Sequence, residues 1–418
     1  MTYDGHRTDE LGMAVGRPAA STDLLNLDRR SYRFDLPDDR VAQEPPEAAG
    51  RARSDVRLLV AHRDHERIEH RRFVELTNYL RRGDVFVVNN ARVVPSILHG
   101  SDQDGRDVVV QIFSPMEDET WHCMAIPAAS CRRGATFSFG DGEVTGTLLH
   151  EEEDKVWRLA IQPAAMEILD RVAEYFYPWY LKIAPADPDY YQTTYASCRG
   201  ATGLPSAGRH LTPEMLAEMS ELGVAFAQVT LDIAVRWTYE GFCSSFPDLA
   251  RPASTGDTSP YMFQALYGPP RPERYHVPLE VADTINECRR NGGRIVACGT
   301  SALRTLETVT DDNGHVYPGS GWTAILISPG HEFRACDAFL TNFHMPMSTE
   351  LLLTAAVLGG RERLLDVYRR EVLPRDYTFH EFGDSMLITG DTRRIIRRRP
   401  AKVADPTGKD PRHRLTGG

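Results

Sequence analysis

No apolar run in the 418-residue sequence is long enough to span a bilayer, and the N-terminal stretch MTYDGHRTDELGMAVGRPAA has no apolar signal core. A soluble, cytoplasmic protein with no membrane partner is the expectation. The seven cysteines never form a CxxC pair; their scatter and odd number suit a reducing compartment and argue against a structural zinc site, so no metal is expected. Neither a P-loop nor a GxGxxG fingerprint occurs. Positive charge is also short: 48 Lys+Arg against 59 Asp+Glu leave a net charge of −11, which excludes a protein that binds nucleic acid over its whole surface. A local exception is Arg393, Arg394, Arg397, Arg398, Arg399 and Lys402, with Lys409, Arg412 and Arg414 beyond. Residues 393–418 read as a basic, flexible tail, with a phosphate-binding arm as the functional alternative.

What is present is globular: 41% hydrophobic and 26% charged residues, enough for one large core or two ordinary ones. Residues 1–30 lack sustained periodicity and read as a flexible extension. Strands are expected over 57–63 and 85–98, the second broken at Asn89 and Asn90, with a short helix over 73–84 between them. From 99 to 162 short alternating runs (RDVVVQIFS, TWHCMAI, ATFSFGDGEVTGTLLH, VWRLAIQ) predict a small antiparallel barrel or sandwich inserted into a larger domain made of 31–98 and 163–392. Beyond it, Thr212 as N-cap, Pro213 in the first turn and Gly223 as stop mark a helix, followed by a long strand over 224–235. Residues 236–274 read as a long loop or lid, 278–290 as a helix, and 294–309 as a strand, a Gly299-Thr300-Ser301 turn and a helix.

The stretch LTNFHMPMST, 340–349, stands where a strand gives way to a helix: Pro346 ends the ladder and Ser348 or Thr349 can cap the apolar helix that follows. Asn342 and His344 then lie beside a helix N-terminus, whose unsatisfied N–H groups favour anionic ligands. Taken alone, such a turn is most economically structural. The same holds for Gly383-Asp384 in YTFHEFGDSMLITG.

Several blocks, in order, alter that balance. YQTTYA, PSAGRHLTPE, GTSALRTLET, GSGWT, LTNFHMPMST and FGDSMLI, within a span from Phe34 to Ile388, resemble the S-adenosylmethionine:tRNA ribosyltransferase-isomerase family of the queuosine pathway. The resemblance implies an α/β fold: a mixed-sheet, barrel-like main domain with flanking helices and an inserted small all-β barrel. It implies a transferase that moves and isomerises the ribosyl part of S-adenosylmethionine onto 7-aminomethyl-7-deazaguanine in tRNA, giving epoxyqueuosine and releasing adenine and methionine. Such chemistry needs a base beside the sulfonium, an acid for the departing adenine and polar groups around the ribose. By position, the implied catalytic residues are His210 and His344, imidazoles suited to proton transfer near neutrality. The implied substrate-binding residues are Arg92, Tyr191, Gln192, Thr212, Glu273, Thr300, Ser301, Arg304, Glu307, Asn342, Ser348 and Thr349.

The chain also departs from the family pattern. NDTR becomes Asn89-Asn90-Ala91-Arg92, TLHVGxGTF becomes TLDIAVRWT with Asp232 in place of histidine, and HKMHSE becomes Pro270-Arg271-Pro272-Glu273, keeping only the glutamate. Arg209 replaces a leucine and Ile126 an arginine. These changes fall on loops expected to touch substrate, and they leave three readings open. The acceptor is tRNA carrying a 7-deazaguanine, or the same sulfonium chemistry serves a non-tRNA acceptor, or the protein binds S-adenosylmethionine without turning it over.

Overall fold

The computed structural model describes residues 28–153, 155–178, 180–181, 184–235, 239–246, 248–249 and 272–390. The basic tail, most of the expected extension, Arg236 to Thr238 and Pro270-Arg271 lie outside the described residues.

In chain order the strands are β1 (Arg57–His62), β2 (Ile68–Arg72), β3 (Val85–Asn89), β4 (Ala91–Val93), β5 (Ile97–Asp102), β6 (Asp107–Pro115), β7 (Thr120–Ile126), β8 (Thr136–Phe139) and β9 (Val144–Glu153). They continue as β10 (Val156–Gln162), β11 (Ala173–Glu174), β12 (Cys198–Ala201), β13 (Ala225–Leu231), β14 (Glu273–Val277), β15 (Ile295–Cys298), β16 (Gly319–Thr323), β17 (Ala338–Asn342) and β18 (Ser385–Thr389). The helices that matter for the site are α1 (Pro213–Leu222), α2 (Leu279–Arg290), α3 (Gly299–Val309), α4 (Thr349–Leu358) and α5 (Arg361–Val367).

Nine strands form one mixed sheet in the order β16-β14-β13-β3-β15-β17-β18-β1-β2. Its central strands are buried on both faces, which is why 85–88 and 295–298 read as unbroken apolar runs rather than alternating ones. On one face α2, α3, α4 and α5 pack through Ile285, Leu303, Leu306, Leu351, Leu352 and Leu364. On the other, α1 and the 3-10 turn Phe73–Tyr79 cover Leu58, Phe86, Val296 and Leu340 with Met215, Met219 and Leu76. A fully buried leucine of this kind is worth roughly 1.5–3 kcal/mol.

The inserted unit is a closed antiparallel barrel in which β5, β6, β7, β10, β9 and β8 follow one another and β8 returns to β5. Ile97 and Leu98, expected at the end of a main-domain strand, instead begin the barrel, with Leu98 in its core beside Val110, Phe137 and Leu159.

Other elements differ from expectation in local detail. Residues 28–30 belong to the packed chain: Asp28 caps the 3-10 turn Arg29–Tyr32, whose Tyr32 is buried. The strand expected over 224–235 stops at Leu231, and a helix, Tyr239–Ser245, interrupts the segment expected to be irregular. The helix expected from 361 to 373 passes into a π-turn, Tyr368–Val372. The Thr212 cap, Pro213 and left-handed Gly223 stop of α1 appear as expected. Among the described residues no helix is long and apolar enough to cross a membrane.

Candidate active site

Strands β3, β13, β15 and β17 are mutually parallel, whereas β18 runs antiparallel to β17 and β1 runs parallel to β18. The carboxyl ends of the first four and the amino ends of β18 and β1 therefore share one sheet edge. Open α/β sheets bind ligands at such carboxyl ends. Asn342 ends β17 and His344 follows it, Gly299 to Ser301 follow β15, Asp232 follows β13, and His380 to Asp384 precede β18.

The 205–210 loop is drawn onto this edge by close backbone approach. A Cβ at Gly208 would stand 1.7 Å from the Tyr195 hydroxyl, so only glycine lets the loop settle there. Ser206 Oγ donates to Asn342 Oδ1 at 3.0 Å, while Asn342 Nδ2 is buried without a hydrogen-bond partner. Such an orphaned donor costs roughly 1–3 kcal/mol unless something pairs with it, so it marks a place for a ligand acceptor. Thr300, half-buried, and Ser301, buried, sit in the first turn of α3, where free N–H groups collect.

His344 is half-buried. Thr341 Oγ1 lies 2.8 Å from its Nε2, and its backbone N–H donates to the Tyr368 hydroxyl at 3.2 Å. Burial pushes the imidazole down to about 4, against the pull of the Glu350 carboxylate. At neutral pH His344 is thus an unprotonated base beside a carboxylate that can stabilise its conjugate acid. Ser348 caps α4 by accepting from Leu351 N at 3.3 Å, and Thr349 Oγ1 donates to Glu350 Oε2 at 3.2 Å, fixing that carboxylate. His380, in the left-handed region at φ +74°, donates its N–H to the Phe343 carbonyl and brings its ring within electrostatic reach of His344.

His210 occupies a different setting. It is wholly buried, with Nδ1 2.9 Å from the Arg53 carbonyl and Nε2 2.9 Å from the Gly383 carbonyl. Burial and the adjoining Arg209 guanidinium push it down to about 4. Each ring nitrogen meets a backbone carbonyl, so the ring links the chain entering β1 to the chain entering β18; the neutral form donates to one of the two carbonyls and only the imidazolium to both.

Several other candidates are likewise committed. Gln192 clamps Val93, accepting from its N–H at 3.0 Å and donating to its carbonyl at 2.9 Å. Glu307 accepts from the N–H groups of Arg334 and Ala335 and lies 3.1 Å from His331 Nε2, holding the loop before β17. Thr212 spends its hydroxyl on the α1 cap, and Arg92 pairs with Asp189 at 3.0 Å. Glu273 ion-pairs Arg304 and accepts from Ala234 N at 3.1 Å, joining α3 to the β13–β14 pair.

The residues not anticipated are His380, Glu381, Glu350 and Tyr180. Glu381 is buried beside the Tyr191 and Tyr180 hydroxyls, and its Oε2 has no hydrogen-bond partner. Burial pushes it up to about 7, against those hydroxyls and Arg209. Arg209 lies fully buried, paired to Glu47 at 2.7 Å and 4.8 Å over the Phe382 ring. The sequence signal for His380 and Glu381 is weak: HEF is separated from the apolar strand β18 by Gly383-Asp384.

A family model described as queuosine biosynthesis protein matches residues 29–241 and 264–388. The chain belongs to that family. Among curated relatives, the S-adenosylmethionine:tRNA ribosyltransferase-isomerases of Moorella thermoacetica and Symbiobacterium thermophilum are each 37% identical, over 85% of this chain and 98% of theirs. That of Thermoanaerobacter sp. is 33% identical over 87% of this chain and all of its own. A crystal structure of S-adenosylmethionine tRNA ribosyltransferase from Thermotoga maritima is 29% identical, covers 85% of this chain and 99% of that one, and has a TM-score of 0.45.

Two of the substituted positions are ion-paired but not fully satisfied: Asp232 Oδ1 and Arg209 Nη1 are buried without a hydrogen-bond partner. Asp232, in place of histidine, is held by Arg274 at 2.7 Å and packs against Gly200, where a Cβ would lie 2.8 Å from its Oδ1. Burial raises the Asp232 carboxyl against the pull of Arg274. Arg209, in place of leucine, has its own partner in Glu47.

Proposed function

We propose that this chain is an S-adenosylmethionine-dependent ribosyltransferase-isomerase that acts on tRNA carrying a 7-aminomethyl-7-deazaguanine, with S-adenosylmethionine consumed as substrate. The observation that carries the reading is the family match over nearly the whole length of curated relatives named S-adenosylmethionine:tRNA ribosyltransferase-isomerases. The site is consistent with the chemistry in one specific respect: the sheet edge carries a neutral imidazole, His344, beside Glu350, and an uncommitted amide, Asn342.

In this reading His344 removes the acidic proton next to the sulfonium, and Glu350 stabilises the imidazolium that results. Asn342, Thr300 and Ser301 hold ribose hydroxyls, with the α3 N-terminus at hand for negative charge. His210 acts as a brace; Tyr191, Gln192, Glu307, Thr212 and Ser348 position the loops; and Arg304 with Glu273 fixes the wall opposite His344. Among the described residues no group of three or more His, Cys, Asp and Glu is placed to hold a metal ion.

A second reading, the same sulfonium chemistry on a non-tRNA acceptor, is favoured by the Asp232–Arg274 pair standing where the family pattern has histidine. One assay separates them. Incubate the protein with S-adenosylmethionine, with and without precursor-bearing tRNA, and follow adenine, methionine and nucleoside mass. Release that depends on tRNA, with a nucleoside mass gain, supports the first reading. Release without tRNA supports the second. Binding with no release leaves a non-catalytic S-adenosylmethionine-binding protein and overturns both.

A further inference from the structure

Two neighbouring strands meet the sheet edge on buried polar side chains. Asn342 closes β17, Ser385 opens β18, and the antiparallel register sets the two directly opposite one another. Such cross-strand partners point to one face, with Cβ atoms about 4.5–5.5 Å apart. The face is fixed by the strand period: Leu340 and Leu387, two residues further in and also paired, lie in the core with Phe86 and Met215. The loop carrying Ser206 closes over that face, its Oγ donating to Asn342 Oδ1 at 3.0 Å. Among the described residues Ser385 Oγ and Asn342 Nδ2 are buried without a hydrogen-bond partner. Turning the amide over does not remove the deficit, because Ser206 then meets the nitrogen and leaves the oxygen unpaired. An unpaired buried hydroxyl or amide weakens a fold, and an apolar side chain would serve the fold better. Leucine stands at Leu340 and Leu387 on this face, and at Leu58, which is opposite Ser385 in β1. Two adjacent groups are thus left open where leucine is the neighbouring solution.

We propose that Asn342 and Ser385 form a diol-binding pair, and that the group it takes is the vicinal 2′,3′-diol of the ribosyl part of S-adenosylmethionine. Asn342 Nδ2 donates to one hydroxyl oxygen, and Ser385 Oγ accepts from the neighbouring hydroxyl. Neither side chain is charged, so the pair suits neutral hydroxyls, whereas a carboxylate or phosphate draws guanidinium or ammonium groups. The pair also lies next to the start of α3. A Cβ at Gly299 would stand 3.4 Å from that of Ala207, so the loop that touches Asn342 through Ser206 touches the turn bearing Thr300 and Ser301 as well. The inference rests on the proposed function and deepens it, adding Ser385 to the residues that hold the ribosyl group.

The test is a cycle of side chain against ligand hydroxyl. Binding of S-adenosylmethionine and of its 2′-deoxy and 3′-deoxy analogues is measured by calorimetry on the full wild-type chain and Ser385→Ala. Each titration is run on the protein alone and with tRNA lacking the 7-deazaguanine, so that no turnover intervenes. S-adenosylmethionine should bind Ser385→Ala about three- to tenfold more weakly, the worth of one neutral hydrogen bond. One of the two deoxy analogues should bind wild type and variant alike, since it lacks the hydroxyl that meets Ser385. Urea unfolding of the free proteins supplies a second readout: deleting an unpaired hydroxyl should leave the midpoint unchanged or raise it. An equal loss for S-adenosylmethionine and both analogues, or no loss at all, overturns the inference while the proposed function stands. A lowered urea midpoint with unchanged affinity means that the hydroxyl serves the fold through an internal water, and overturns it too. A wild-type protein that binds no S-adenosylmethionine under either condition overturns the proposed function and the inference with it.

Discussion

The two walls of the candidate site stand on the same sheet edge and use buried polar groups in opposite ways. The wall formed by 342–350 and 380–384 collects neutral imidazoles, tyrosine hydroxyls and a carboxyl pushed up to about 7, with two uncommitted atoms, Asn342 Nδ2 and Glu381 Oε2. The wall formed by 232–235, 273–274 and Arg304 is laced with ion pairs, Asp232 to Arg274 and Glu273 to Arg304, and its own unpartnered atoms, Asp232 Oδ1 and Arg304 Nη2, belong to those pairs. Groups poised between protonation states suit chemistry, whereas charges locked to one another fix shape. The difference implies that proton transfer belongs to the first wall and that the second sets what fits against it.

The largest effect that would break this comparison is at His344. His344→Ala should reduce adenine release by about 100-fold or more while leaving KM within a few fold, as loss of a general base does. His210→Ala should act differently. It removes a brace whose two nitrogens meet the Arg53 and Gly383 carbonyls, so the thermal midpoint should fall along with activity. If His210→Ala lost activity at unchanged stability while His344→Ala retained it, the two roles would have to be exchanged.

The next effect concerns the charged wall. Arg304→Ala strands Glu273, whose side chain is 11% exposed, and should lower stability by roughly 3 kcal/mol, the range for breaking a buried pair. Replacing both members, Arg304→Met with Glu273→Leu, should recover much of that loss. The check is denaturant unfolding of the three variants. A single variant no less stable than the double one would show that the pair is not what fixes this wall.

Much of the fold was open to sequence reading because its signals are local. Thr212, Pro213 and Gly223 bound α1 by capping chemistry, the apolar runs at 85–88 and 295–298 mark doubly covered strands, and alternation over 99–162 marks the barrel. The site was less legible because its geometry is non-local. His210 and His344 are the same residue type on similar loops, and only tertiary packing shows that one faces two backbone carbonyls. His380 and Glu381 lie in a segment whose strongest local signal is the Gly383-Asp384 turn. Asp384 proves to be the structural member, accepting from Arg57 N at 2.6 Å and pairing with its guanidinium at 3.0 Å.

A smaller effect appears as a pH dependence of stability. Glu381 has a folded pKa near 7, above its ordinary value of 4.5, so its contribution is fully present below about 4.5 and is lost as pH rises through about 7. His210, His344 and His380 are each lowered from 6.5 to about 4, so their contribution is fully present above 6.5 and is lost as pH falls through about 4. Because three imidazoles oppose one carboxyl, their summed contribution still rises through pH 6 and levels off above about pH 7. Glu381→Gln should be roughly 2 kcal/mol more stable relative to wild type at pH 8 than at pH 4.5, seen as a shift in the urea midpoint. Parallel pH curves for the two proteins would mean that Glu381 is not ionised on the alkaline side.

The smallest effect sharpens the comparison most. Ser348 and Thr212 both cap helices, accepting from N–H groups at Leu351 and Met215, and removal of either hydroxyl should cost about 1 kcal/mol. Their surroundings differ. Ser348 anchors the turn that carries His344 and sets the start of α4, from which Glu350 reaches the imidazole, whereas Thr212 anchors α1 on the opposite face of the sheet. Ser348→Ala should therefore lower kcat severalfold beyond what its stability loss explains, and Thr212→Ala should not, when the two are compared at equal thermal destabilisation. Equal activity losses would show that the 342–350 wall is no more sensitive to its framework than the rest of the sheet edge, and the assignment of proton transfer to that wall would lose its structural support.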